Sequence, residues 1–166
     1  MKINEDKLMS ALLQNDFSKI DELVKESSVN ALDRDGRTLV TNCVIKNKIH
    51  FIEKLLESYE IDINAQDNNG FTALHFAVEE NRIEILEMLI KSNNVDVNLK
   101  DKWGNTPLWR AVNNHPESKQ IIWALIKEGA DVSIENEYGV APIRIMQEDH
   151  ESGDFNYEDI FEYLNS

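Results

Sequence analysis

Four stretches of this chain are near-copies of one another. DRDGRTLVTNCV, DNNGFTALHFAV, DKWGNTPLWRAV and NEYGVAPIRIMQ begin at Asp33, Asp67, Asp101 and Asn136, and their glycines (Gly36, Gly70, Gly104, Gly139) recur every 34 or 35 residues. Downstream of the first three come apolar pairs, Leu55–Leu56, Leu89–Ile90 and Leu125–Ile126, each followed by an Asp-apolar-Asn/Ser segment. A unit this short cannot bury an apolar face alone. Its copies must stack, and the stacking itself creates one continuous core.

Local chemistry explains the columns. The glycines stand where a tight turn needs positive φ. Thr38, Thr72 and Thr106 follow them as N-caps, offering a hydroxyl to the unpaired N–H groups of a helix start; Ala141 breaks this column. Pro107 and Pro142 suit the first helical turn, where no N–H is needed. Cys43, Ala77 and Ala111 form a small column where the first helices of neighbouring units approach closely. Met146 departs from it, which fits a last unit with nothing stacked beyond. Ile83, Leu86, Leu89 and Ile90 have the spacing of a second, amphipathic helix. The reading is an all-α chain of stacked helix–turn–helix units joined by hairpin-like loops.

These motifs resemble the ankyrin-repeat family, most closely in GFTALHFA and in GNTPLWRA with GADV after it. The resemblance implies a solenoid of about five units: 33–66, 67–100 and 101–135, an N-terminal cap-like unit at 1–32, and a C-terminal cap-like unit at 136–166. In the first unit Leu8, Ala11, Phe17, Ile20, Leu23 and Val24 fall on the core columns. Deviant end units are expected, because each exposes one face to water. The family pattern also implies a structural role for His75, tying the turn together.

Composition narrows the function. The net charge of −14 opposes nucleic-acid phosphates and anionic membranes. It favours a protein partner with a basic surface, whose encounter is steered and salt-sensitive; solubility alone is the plainer explanation. Residues 137–166 hold eight acids against Arg144 alone, a net −7 and half of the total. There is no phosphate-binding loop, no nucleophile elbow and no CxxC pair. The lone Cys43 reads as core, and the run Glu148, Asp149, His150, Glu151 as a solvated loop rather than a metal site. No enzyme activity, cofactor or metal is expected. The N-terminus, with Glu5 and Asp6, does not read as a signal peptide, so a cytoplasmic protein, monomeric when free, is expected.

The family's partners lie on hairpin tips and on the face of the first helices. Carried over, this implicates the tip residues Asp35, Arg37, Asn69, Phe71, Trp103, Asn105, Glu137 and Tyr138, and the helix residues Glu79, Glu80, Trp109, Asn113 and Glu148. Phe71, Trp103 and Tyr138 stand out, because turn tips ordinarily favour small polar residues and Trp and Tyr dominate binding hot spots. Trp109 replaces the column's histidine and faces either the groove or the next hairpin. Trp123, at a column usually polar, is either a back-face contact or a cover for the NNHPESKQ loop. The expected function is a protein–protein interaction module acting as adaptor, effector or inhibitor. The alternative is an immunity protein or antitoxin that masks a basic toxin such as a nuclease; an enzyme or small-molecule binder is the remote one.

Overall fold

The computed structural model describes residues 5–26, 28–92 and 94–166; of the first unit's expected span, residues 1–4 and 27 lie outside it. Ten helices run in order: α1 (Glu5–Gln14), α2 (Phe17–Glu26), α3 (Leu39–Ile45), α4 (Ile49–Ser58), α5 (Ala73–Glu79), α6 (Ile83–Ile90), α7 (Pro107–Asn114), α8 (Lys119–Lys127), α9 (Pro142–Ser152) and α10 (Glu158–Leu164). There is no strand among the described residues. First helices pack on first helices, α3 on α5 on α7 on α9, and second helices on second, α4 on α6 on α8. The result is a two-layered all-α solenoid.

Stacking explains the burial. Cys43, Ala77 and Ala111 are fully buried between consecutive first helices, and Leu55, Leu86, Leu89 and Leu125 between the layers. Burial pushes the Cys43 thiol up to about 12, so it stays protonated and inert. Met146 corrects the expectation of an open end: it is fully buried in the same core as Tyr157 and Ile160. The chain turns at Gly153 and lays α10 back over the last core residues. Tyr157 Oη donates to the Pro116 carbonyl at 3.3 Å. Trp123 is the back-face anchor for α10: its Nε1 donates to Asp159 at 3.1 Å and its ring meets Tyr163 edge-on.

The hairpin-like loops are turns closed by one side chain. Asp33, Asp67, Asp101 and Asn136 each aim Oδ1 at two backbone N–H groups, two and four residues on. The residue after each turn then caps the first helix: Thr38, Thr72 and Thr106 accept from N–H groups three residues on, and Ala141 gives no side-chain cap.

Candidate partner-binding surface

Consecutive tips are zipped by backbone. Asn68 N–H donates to Asp35 O, Lys102 N–H to Asn69 O and Glu137 N–H to Trp103 O, each at 2.9 Å. The zip runs past the glycines. A Cβ on Gly36 would meet Asn68 N at 2.9 Å, one on Gly70 the Asp101 Cα at 2.9 Å and one on Gly104 the Glu137 N at 2.7 Å. Among the described residues no further tip packs on Gly139, where a Cβ would meet only a Glu135 carboxylate oxygen at 4.0 Å.

A second link joins each first helix to the next turn. His75 is fully buried; its Nδ1 faces the Thr72 hydroxyl and accepts from Thr72 N–H, and its Nε2 donates to Asn105 O at 3.2 Å. Burial lowers its pKa to about 4, so the ring is neutral. Trp109 makes the corresponding link one unit on, donating Nε1 to Val140 O at 3.1 Å. This resolves its two expected orientations: the indole packs on the next hairpin, because it supplies there the N–H that His75 supplies in its own unit.

Around the tips of the third and fourth units, the side chains satisfy one another. Arg110 is the hub. It donates from Nε to Asp101 at 2.7 Å and from Nη1 to Glu79 at 2.6 Å, and its guanidinium lies 4.3 Å from the Phe71 ring centroid. The Asp101 carboxylate is fully buried, so this pairing is what makes its charge tolerable there. Phe71 in turn meets Trp103 edge-on at 6.2 Å between centroids. In the preceding unit the residue equivalent to Arg110 is Phe76, which cannot bond a carboxylate. Arg37 serves instead, reaching to 3.6 Å from the buried Asp67 while lying over the Phe76 ring.

The implicated residues therefore separate. Tyr138 is the most displayed, 77% exposed and without a ring contact among the described residues; Trp103 is 37% exposed. Glu137, Asp35, Glu80, Asn113 and Glu148 are exposed too, with Asp35 held by Arg37 and Glu148 by Arg144. Phe71, Arg37, Asn69 and Glu79 are half-buried and engaged with neighbouring units, Asn69 through Lys102 and Glu79 through Arg110. Asn105 is corrected outright. It is buried, its carbonyl taken by His75 and its side-chain oxygen by Asn136. Asp67, Asp101 and Asn136 are likewise buried, as turn organisers.

What sequence reasoning missed was Arg110. Its position nine residues after Asp101 carried the signal, since Asn42 bonds Asp33 across the same interval. The run Glu148–Glu151, expected as a solvated loop, is instead the C-terminal part of α9, because the helix continues to Ser152 before Gly153 ends it; there Glu148 pairs with Arg144, while His150 accepts from Tyr157 N–H and meets Phe161 edge-on.

A family model for ankyrin repeats (3 copies) matches residues 8–101, and a single ankyrin-repeat model matches 103–137. The chain belongs to the ankyrin-repeat family. Ankyrin repeats are protein–protein interaction modules, and proteins built from them are typically non-enzymatic. Residues 138–166 lie outside both matches. No curated protein matches the chain significantly. Among the described residues, no helix is long and apolar enough to cross a membrane.

Proposed function

We propose that this ankyrin-repeat chain captures a protein with a basic surface, and does so at its fourth and fifth units. The observation that carries the reading is where charge is left unbalanced. Arg110 neutralises Asp101 in the turn of the fourth unit and Glu79 on α5, and Arg37 serves Asp35 and Asp67 in the turns of the second and third units. Glu135, Glu137, Glu151, Glu158 and Glu162 make no ion pair among the described residues. Glu135 and Glu137 stand beside the exposed tip aromatic Tyr138 in the sequence, and Glu151, Glu158 and Glu162 follow on α9 and α10 of the same unit. An exposed aromatic beside unpaired carboxylates suits a partner's arginine or lysine, which gains both a ring face and a counter-charge. On this reading the chain works in the cytoplasm as a monomer, without catalysis or cofactor.

The test is affinity capture from the native cell, followed by association rates against ionic strength. A partner with a basic face, associating more slowly as salt rises, is expected. Recovery of acidic partners only, or a flat salt dependence, refutes the basic-partner reading. Masking of a basic toxin is one form of this reading, and it predicts that the captured protein loses its own activity when bound.

A further inference from the structure

A cleft of about 520 Å³ opens between the first and second units, on the side of the second helices. Its floor is apolar: Phe17 at the start of α2 meets Phe51 of α4 with 5.6 Å between centroids, and Ile49 lies beside them. Its rim is cationic. Lys54 places Nζ 4.7 Å from the Phe17 ring centroid and Lys48 is held by Asn15 at 2.7 Å, while the exposed His50 is engaged by Glu53 at 3.2 Å. No Asp or Glu lines it. In a chain of net charge −14 this is an unusual place. The cleft at the corresponding turn between the third and fourth units shows the difference: it has Glu117 beside Lys119 and no aromatic residue.

We infer that this cleft is a second docking site, which takes an acidic peptide segment of a partner protein carrying an aromatic or leucine side chain. The side chain lies on the Phe17–Phe51 floor, and the flanking carboxylates meet Lys48 and Lys54. Charge complementarity selects the occupant: a neutral apolar segment leaves the lysines unused, and a basic one meets like charge. The site stands apart from the acidic fourth and fifth units and has the opposite preference. A chain with both can hold two different protein segments at once, as an adaptor does.

The test titrates isotope-labelled full-length protein with a peptide of alternating Glu/Asp and Phe/Leu residues, read by amide NMR shifts. Saturable shifts confined to residues 15–17 and 47–54 are expected. They should weaken at least about tenfold with a Gln/Asn version of the peptide and in the Lys48→Glu/Lys54→Glu protein. Lys54→Glu alone, which spares the Lys48–Asn15 bond, should lie between. Tyr138→Ala should leave the titration unchanged, which separates this site from the one at the fourth and fifth units. Absence of shifts at millimolar peptide, or shifts that persist in the double variant, overturns the inference. So does self-association of the protein abolished by the double variant, which assigns the cleft to a second copy.

Discussion

The interior units and the fifth unit perform the same turn under different constraints. In the fourth unit, Gly104 has the next tip pressed against it, Thr106 caps α7, and the buried Asp101 carboxylate is held by Arg110. In the fifth, the space at Gly139 is open, Ala141 gives no side-chain cap, and the turn organiser is Asn136. The last substitution is instructive. Position 145, equivalent to Arg110, is Ile, which cannot neutralise a carboxylate. A neutral Asn keeps the oxygen that builds the turn and uses its amide to donate to Asn105. Constraints imposed by a neighbouring unit vanish where no neighbour follows. Those imposed by the turn itself, positive φ and an Asx oxygen, persist.

The sharpest way to break this comparison is a pair of alanines. Gly104→Ala adds left-handed strain and a Cβ 2.7 Å from backbone nitrogen, and should destabilise by about 4 kcal/mol. Gly139→Ala keeps only the strain and should cost about 1 kcal/mol. Urea midpoints measure both; equal losses would mean that tip packing contributes nothing. Next comes Arg110→Ala, which strands a fully buried carboxylate and should cost about 3 kcal/mol. The exposed Arg144–Glu148 pair of the fifth unit offers the contrast, with Arg144→Ala within about 0.5 kcal/mol of the parent.

The third effect separates His75 from Trp109. The folded-state pKa of His75, about 4, lies below the ordinary 6.5, so the unfolded chain takes up the proton first. The stability from the neutral ring is full above pH 6.5 and is lost as pH falls through 4, up to about 3 kcal/mol. Trp109 makes the equivalent link and does not titrate. His75→Trp should therefore flatten this part of the pH profile, as followed by thermal melts from pH 7 to 4. An unchanged slope would assign the acid sensitivity to other groups. The smallest effect on folding is expected at Tyr138. Tyr138→Ala should leave stability within about 0.5 kcal/mol of the parent while weakening partner binding by about tenfold or more. A loss of stability instead would make this tyrosine part of the fold.

Legibility followed the range of each interaction. The turn glycines, the threonine caps and the prolines at helix starts are local, so the chain spells them out. The structural role of His75 was legible from the family column. Whether a residue on a turn is displayed or turned inward was not. Asn105 and Trp103 flank the same glycine; one is buried and the other exposed, because the next unit's Asn136 and the preceding unit's His75 both claim Asn105. Phe71 looked like a free aromatic, yet Arg110 and Trp103 cover it.

By itself, then, the sequence determined that this chain is a stack of ankyrin units, how each unit turns, and that its acidity gathers at one end. A recurring period with turn and cap residues in register is the signature of stacked repeat units. The tertiary structure decided which acids are already spent. Asp67 and Asp101 count toward the net charge but are neutralised in the interior, and Met146 is closed over by α10 rather than left at an open end. The physical reason is that burial needs the neighbouring units: Arg37 reaches Asp67 from the unit before, and the Asp101–Arg110 pair, though close in sequence, is enclosed only once the stack has formed.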